Sequence, residues 1–199
     1  MELPFLSDED FFENCPPQTL CSVCGSNEIR PFMLVGDKYY WTCNICKARI
    51  LSCKHWLSKE EEFKYYQTHE NISSDPAYQR FAAQLALPIL DKLIPNSSGL
   101  DFGCGPDSAL SAILRQHGHN MTVYDPFFFP DKNSLKKTYD FIVCSEAAEH
   151  FHQPAKEFKK FNRLLNENGW IGIMTNFQTE NSRFKNLHYR RDPTHVVFY

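Results

Sequence analysis

The sequence predicts an α/β protein with a mostly parallel sheet, preceded by a small cysteine-rich β-hairpin module. Apolar runs that fit buried strands alternate with amphipathic helical stretches in the second half of the chain. A glycine turn, Gly103-Cys104-Gly105, follows the first of these runs. Two Cys-x-x-Cys pairs precede them, one on each side of a hairpin pattern.

Composition limits the class of protein. The chain has 199 residues, of which 42% are hydrophobic, enough for one domain with a core plus a small module. The formal net charge of −3 gives no general attraction to nucleic acid or membranes. No apolar run approaches the about 20 residues of a membrane span, and the N-terminus lacks signal-peptide features. We therefore predict a cytoplasmic protein without a membrane partner, whose eight cysteines are metal ligands and core residues.

The chain divides into four predicted segments. Residues 1–17 form an acidic, aromatic N-terminal arm, and residues 18–53 form the cysteine module. Residues 54–74 are a charged helical connector, and residues 75–199 form the α/β domain.

The cysteine module is predicted to hold one zinc ion. Its ligands are Cys21, Cys24, Cys43 and Cys46. Two residues between paired cysteines let both sulfurs face one ion, and two such pairs supply a closed site of four thiolates. The 18 residues between the pairs read as a hairpin with strands at 29–35 and 38–42. Three alternatives to this zinc site remain open. Cys53 or His55 could replace one of the four ligands, the cysteine pairs could have a redox role, or the four cysteines could be unrelated.

The α/β domain begins with a helix capped by Asp75 and followed by four predicted strands. The strands are residues 99–102, 120–124, 141–144 and 170–175, and we expect the spatial order second, first, third, fourth. Only 14 residues separate Asp125 from Asp140, which leaves room for one crossover but no further strand. We expect residues 196–199 to pair beside the last strand, or a homodimer to form there. Either arrangement would bring His195 towards His150.

The glycine turn predicts a site for a small polar ligand. Gly103 and Gly105 can adopt backbone angles closed to other residues, and Asp107 or Ser108 can cap the following helix. Asp107 stands where the dinucleotide fingerprint has its third glycine, and its carboxylate would repel a pyrophosphate. Asp101, before the turn, suits a cationic amino group.

These residues resemble the class I S-adenosylmethionine-dependent methyltransferases, here with a reduced Rossmann-like sheet. The run from Asp101 to Gly105 matches their acidic-x-Gly-x-Gly motif, and the run from Glu146 to His150 resembles the Glu-x-x-Glu-His segment of small-molecule methyltransferases. The resemblance implies S-adenosylmethionine (SAM) as cofactor, with Asp125 on its ribose hydroxyls. The implied cofactor contacts are Asp101, Gly103, Cys104, Gly105, Asp125, Phe127, Ser145 and Glu146. The run Phe127-Phe128-Phe129 packs on the adenine in this interpretation, or consists of three core or lid aromatics.

The resemblance implies transfer of a methyl group from SAM to a small molecule, with donor and acceptor held in line. His150 is the first candidate base and His195 the second, while Glu149 orients His150. His69 in the connector is expected either to cover the cofactor and face the active site or to be a surface or core histidine. Two alternatives remain open: an RNA or protein methyltransferase that binds substrate through the zinc module, and a non-catalytic cofactor- or partner-binding protein. Because related enzymes continue with further elements, the chain is either truncated or a minimal form.

Overall fold

The computed structural model of the protein describes residues 15, 17–68, 72–178 and 180–199. The predicted arm lies outside this part of the chain except for Cys15 and Pro17, and so does His69. The chain forms two compact units. The hairpin unit consists of Met1–Glu62, Glu149–Lys156 and Asn176–Tyr199, and the parallel-sheet unit of Phe63–Ala148 and Glu157–Thr175. None of the described helices is long and apolar enough to cross a bilayer.

The hairpin unit is built on an antiparallel sheet of four strands in the order β1-β2-β3-β8. The strands are β1 (Ile29–Val35), β2 (Lys38–Cys43), β3 (Arg49–Leu51) and β8 (Val197–Phe198). β1 and β2 form the predicted hairpin around Gly36, whose φ of 64° suits the tight turn. Tyr40 packs with Phe184 and Phe198 in an aromatic core, while Trp41, the next residue on β2, is buried beside Cys21 and Cys43. Alternation along β2 thus separates an aromatic face from a cysteine face.

The tail pairs in this unit, so the expected pairing beside the last strand of the parallel sheet is wrong. β8 is antiparallel to β3, with Val197 opposite Ile50. Val196 continues the contact, because its carbonyl accepts a hydrogen bond from the Leu51 N–H at 2.8 Å. Phe198 is buried against Tyr40 and Phe184 in the aromatic core. The edge of β3 therefore offers the tail both main-chain partners and an apolar surface.

The parallel-sheet unit contains four parallel strands in the order β5-β4-β6-β7, which confirms the predicted order. The strands are β4 (Ser98–Phe102), β5 (Asn120–Tyr124), β6 (Tyr139–Ser145) and β7 (Leu165–Met174). Residues 126–138 are all described and contain a 3₁₀ turn, Ser134–Lys136, but no strand. The count of residues between Asp125 and Asp140 therefore correctly excluded a further strand.

Helices cover both faces of this sheet. The α-helices of the described residues are α1 (Lys59–Tyr66), α2 (Pro76–Leu90), α3 (Ala109–Gln116), α4 (Pro154–Leu164) and α5 (Asn181–Phe184). α2 and α3 bury Leu85 and Leu110 against Phe141 and Val143 of β6. Asp101 of β4 points to α3, so the next residue, Phe102, faces the opposite side, where it meets Phe161 of α4 at a centroid distance of 4.9 Å.

The strand order reverses at β4, because β5 lies on one side of it and β6 on the other. In open α/β sheets, ligands bind outside the carboxyl ends of the strands at such a switch point. The glycine turn follows β4, and Ser145 ends β6. The fold thus brings two of the predicted cofactor segments to one sheet edge.

Candidate functional site

The glycine turn is held against the end of β5 and against the segment after β6. The N–H of Gly103 donates to the Tyr124 carbonyl at 2.8 Å. Gly103 and Gly105 have φ values of 76° and 65°, as expected for the turn. A Cβ added at Gly103 would lie 2.5 Å from the Ala147 Cβ, whereas one added at Gly105 would meet no atom of the described residues within 4 Å. Gly103 therefore permits protein packing, and Gly105 leaves an open cradle.

Asp101 is a buried carboxylate that anchors α3. Its Oδ2 accepts hydrogen bonds from the hydroxyls of Ser108 at 2.5 Å and Ser111 at 2.7 Å. Burial raises the pKa of Asp101, while the two hydroxyls act in the opposite direction. The Ser108 hydroxyl also accepts from the Ser111 N–H and so caps the helix, as predicted.

Asp125 links the glycine turn to the loop after β5. Its Oδ1 accepts hydrogen bonds from the N–H groups of Phe127 at 2.8 Å and Phe128 at 3.0 Å. Its Oδ2 accepts from the N–H of Gly105 at 3.1 Å. The predicted ribose-binding carboxylate thus also fixes the shape of the turn.

A cavity of about 280 Å³ adjoins the turn. Its lining includes Cys104 and Asp107, Arg115 of α3 and the half-exposed ring of Phe129. Asp107 accepts a hydrogen bond from the Ser73 N–H at 2.7 Å. A carboxylate, a guanidinium and an aromatic ring suit a ligand that has both charged and flat apolar parts.

Phe127 lies in an aromatic group with α1. Its ring stacks on Phe63 with centroids 5.7 Å apart and lies 5.3 Å from Tyr66. Phe129, the last residue of the phenylalanine run that the sequence predicts to pack on the adenine, lines the cavity, whereas Phe127 does not.

Ser145 and Glu146 lie at the carboxyl end of β6. Ser145 pairs with Met174 of β7, and the Glu146 N–H donates to the Met174 carbonyl at 2.8 Å. Glu146 has a φ of 47°, an uncommon conformation for a residue with a side chain. Such backbone strain concentrates at functional sites. The backbone after β6 therefore adopts a left-handed conformation that the end of a β-strand does not require.

The four predicted zinc ligands form one cluster. The Sγ atoms of Cys21 and Cys46 are 3.6 Å apart, as are those of Cys24 and Cys43. All four Sγ atoms lie within 4.8 Å of one another. Thiolates around one tetrahedral zinc ion are about 3.8 Å apart, as follows from a Zn–S distance of about 2.3 Å. No disulfide joins any of the eight cysteines in the described residues.

Two equivalent turns present these sulfurs. The N–H groups of Gly25 and Lys47 donate to the carbonyls of Cys21 and Cys43, respectively, and both residues have a positive φ. Burial raises the pKa of Cys21. Burial acts in the same direction on Cys43, but N–H groups of Cys46 and Ile45 outweigh it and lower the pKa of Cys43 to about 7.

The three predicted catalytic residues also come together, within the hairpin unit. The rings of His150 and His195 have centroids 4.6 Å apart. The Glu149 Oε1 lies 3.9 Å from the His195 Nε2, and this carboxylate is fully buried. The Nδ1 of His150 faces the Thr194 carbonyl at 3.1 Å, which therefore orients this ring.

Sequence reasoning missed the residues that surround this cluster. Tyr189 donates a hydrogen bond from its hydroxyl to Glu149 Oε1, and its carbonyl faces the His195 Nδ1 at 2.7 Å. Asp192 accepts hydrogen bonds from the N–H and hydroxyl of Thr194. An aspartate two residues before a threonine is a turn signal, and it could have indicated that the tail presents His195 on a fixed turn.

Fold and site define the class of protein: an α/β protein with a polar ligand site at the carboxyl edge of a Rossmann-like parallel sheet. The family model described as "Methyltransferase domain" matches residues 75–199, more than half of the chain. The protein therefore belongs to this methyltransferase-domain family. No curated protein sequence matches the chain.

Several solved structures are similar to the chain. One is coclaurine N-methyltransferase bound to N-methylheliamine and SAH, with 14% identity and a TM-score of 0.42 over 67% of this chain and 48% of that one. A cyclopropane-fatty-acyl-phospholipid synthase-like protein from Lactobacillus casei has 16% identity and a TM-score of 0.36, over 54% and 55% of the two chains. A possible histamine N-methyltransferase from Thermotoga maritima has 15% identity and a TM-score of 0.29, over 58% and 57%. The chain spans about half the length of these proteins.

Proposed function

We propose that this protein transfers a methyl group from SAM to a small molecule. The observation that carries the proposal is the open cradle at Gly105, whose N–H is held by Asp125 at the carboxyl edge of the sheet. The family match to a methyltransferase domain supports SAM as the ligand. When bound, SAM supplies a methyl group that its sulfonium sulfur already activates.

The residues of the parallel-sheet unit have distinct roles in this proposal. Gly105 lets the ligand approach the main chain, Gly103 permits close packing of the turn on Ala147, and Cys104 and Asp101 form the turn and its support. Asp125 accepts from the ribose hydroxyls through Oδ2, on which the Gly105 N–H leaves one lone pair. Phe127 contributes its ring to the adenine side, and Ser145 and Glu146 border the site after β6.

The proposed acid–base group lies in the hairpin unit. Because an activated methyl donor needs only a positioned nucleophile, one base that removes the acceptor proton completes the chemistry. His150 is the proposed base, with His195 as the second candidate. Their ring centroids lie 4.6 Å apart, and the Glu149 Oε1 lies 3.9 Å from the His195 Nε2.

We also propose that Cys21, Cys24, Cys43 and Cys46 hold one structural zinc ion. The sulfur spacing of 3.6 Å and the gathering of all four Sγ atoms within 4.8 Å support this assignment. The ion would fix the two turns in a unit whose core is small. Protein purified without added metal should contain about one zinc per chain, as a closed four-thiolate site requires. Reduced, folded protein without zinc would contradict the assignment.

Calorimetric titration with SAM tests the cofactor proposal. Wild-type protein should bind SAM, and Gly105→Val should abolish binding because a branched side chain fills the cradle. Gly118→Val is the matched control, since Gly118 has a φ of 86° and a Cβ there also meets no atom of the described residues within 4 Å. Absence of binding by folded wild-type protein would contradict the proposal and favour a non-catalytic role.

Mass spectrometry of reactions with a metabolite extract, a tRNA pool and a peptide library would then identify the acceptor class. The proposal expects a mass increase of one methyl group among the small molecules. Methylation confined to the RNA or peptide arm would overturn the small-molecule assignment while leaving methyl transfer intact.

A further inference from the structure

A second group of metal-binding side chains lies in the hairpin unit, apart from the four cysteines. Glu149, His150 and His195 offer a carboxylate oxygen and two imidazole nitrogens within 4.8 Å of one another. We propose that these three residues bind a divalent transition-metal ion. This inference goes beyond methyl transfer and does not depend on SAM binding. It is an alternative to the base role of His150 and His195, because a ring nitrogen that binds a metal ion cannot accept a proton.

One donor pair has the spacing of ligands to a single ion. The Glu149 Oε1 and the His195 Nε2 are 3.9 Å apart. Ligands that each lie about 2.1 Å from a common zinc-sized ion are at most about 4.2 Å apart. A donor nitrogen of His150 lies within 4.8 Å of both, so a shift of under about 1 Å brings it to the same ion. The Asp192 Oδ2 lies 3.8 Å from the same His195 nitrogen but does not belong to this group of three donors.

Both histidines are oriented as metal ligands usually are. The His150 Nδ1 faces the Thr194 carbonyl at 3.1 Å, and the His195 Nδ1 faces the Tyr189 carbonyl at 2.7 Å. A carbonyl only accepts, so each Nδ1 carries the ring hydrogen and each Nε2 carries its lone pair. Metal-bound histidines almost always donate their second N–H to a carbonyl or carboxylate in this way.

The carboxylates have matching support. The Tyr189 hydroxyl donates to Glu149 Oε1, and Thr194 fixes Asp192 through Oδ1. Glu149 is fully buried, and a buried carboxylate is stable only with hydrogen bonds or positive charge nearby.

The main chain holds the two halves of the cluster together. The Val196 N–H donates to the Glu149 carbonyl at 2.9 Å, and the Val196 carbonyl accepts from Leu51 of β3. His195 is therefore positioned by the same pairing that places β8 in the sheet. A preformed site of this kind loses little entropy when the ion binds.

The donor set indicates the class of metal. Imidazole and carboxylate ligands suit zinc, iron(II), manganese, cobalt or nickel, while the softer four-thiolate cluster favours zinc. Three protein ligands leave coordination positions open for an oxygen or nitrogen atom of a further ligand.

Cobalt(II) titration distinguishes this site from the cysteine cluster. Protein that already holds one zinc per chain should bind one further Co²⁺, with d–d absorption but without the intense thiolate charge-transfer band in the near ultraviolet. His150→Asn and His195→Asn should each lower Co²⁺ affinity at least tenfold, because Asn keeps a donor to the carbonyl but lacks the Nε2 ligand. Tyr189→Phe should lower it roughly tenfold by removing the bond to Glu149.

His117→Asn is the matched control. His117 is the exposed C-cap residue after α3, and its Nδ1 faces the Ile113 carbonyl at 2.9 Å, so the substitution changes an equivalent ring outside the cluster. Its Co²⁺ affinity should equal that of wild type. Equal binding by wild type and the two cluster variants, or no second ion in wild type at millimolar Co²⁺, would overturn the proposal.

Pulsed EPR of wild-type protein with Mn²⁺ keeps the proposal testable if the cluster variants do not fold. The spectrum should contain couplings to imidazole nitrogen. A bound Mn²⁺ without nitrogen couplings would overturn the assignment of His150 and His195 as ligands.

Discussion

Gly103 and Gly105 have similar backbone angles but different surroundings, so substitutions at the two positions should have different effects. At Gly103, a Cβ would lie 2.5 Å from the Ala147 Cβ. The sequence suggested that both positions are glycine because a ligand needs the space. The structure supports this reason at Gly105, whereas close packing against Ala147 explains the glycine at position 103. A left-handed backbone costs a residue with a side chain about 1 kcal/mol at either position.

We predict that Gly103→Ala lowers the free energy of unfolding by about 2–4 kcal/mol, because overpacking adds to the backbone cost. Gly105→Ala should lower it by only about 1 kcal/mol but weaken SAM binding at least tenfold. Urea unfolding and calorimetry measure the two quantities. Equal stability losses in the two variants would contradict the packing explanation for Gly103.

Asp125 provides a second prediction at the scale of one residue. Asp125→Asn keeps an oxygen for Phe127 and Phe128 but replaces the acceptor of the Gly105 N–H with an amide donor. Loss of a hydrogen bond to a charged acceptor costs about 1.5–3 kcal/mol, so SAM affinity should fall roughly 10- to 100-fold. Asp91→Asn, an exposed carboxylate after α2, is the control in the same titration. Wild-type affinity in the Asp125 variant would remove this residue from the cofactor site.

At the scale of elements, Asp140 connects three strands at the amino edge of the parallel sheet. Its Oδ2 accepts from the N–H and hydroxyl of Ser98 on β4, and its Oδ1 accepts from the Asn166 amide on β7. The Ser98 N–H, the Asn166 amide and the Ser98 hydroxyl hold the pKa of Asp140 below its ordinary value of 3.8. The ionised form therefore stabilises the register of β4, β6 and β7.

We predict that Asp140→Asn lowers the free energy of unfolding by on the order of 2 kcal/mol at neutral pH. Because the folded-state pKa is lowered, this difference should be complete above about pH 4 and disappear as the pH falls through the folded-state value. Denaturant unfolding of both proteins between pH 2.5 and 7 measures it. Glu167→Gln, an exposed carboxylate on β7, should show no such trend. A difference that does not change with pH would contradict the role of the charge.

For the whole molecule, the pairing of β8 with β3 joins residues that are about 150 positions apart. The cysteine face and the aromatic face share β2, so loss of zinc should loosen the sheet to which β8 belongs. Removal of the proposed zinc ion should therefore lower the stability of both the tail pairing and the cysteine cluster.

Hydrogen exchange before and after removal of zinc by a chelator tests this coupling. Amides of β1, β2, β3 and β8 should lose protection together, whereas those of β4 and β6 keep it. Cys43→Ser should reproduce the pattern without chelator. If the amides of β8 kept their protection while those of β1 and β2 lost it, the pairing of the tail with this sheet would be contradicted.

The sequence by itself determined the features that rest on short spacing and on counting. The glycine turn, the two cysteine pairs, the hairpin around Gly36 and the order of the parallel strands all follow from local backbone chemistry or from the number of residues between elements. The methyltransferase resemblance followed from the same short motifs, and the family match bears it out.

Tertiary structure alone decided the features that depend on competition between distant surfaces. The edges of β3 and β7 were both open to the tail, and burial of Phe198 in the aromatic core selects β3. The same pairing of the tail with β3 explains the surroundings of the two histidines. Tyr189, Asp192 and Thr194 belong to the tail, and they therefore lie beside Glu149 and His150. A local sequence pattern indicates which residues prefer a strand or a turn. Which distant strand edge a segment pairs with depends on the apolar surface area that each pairing buries and on the hydrogen bonds that it forms.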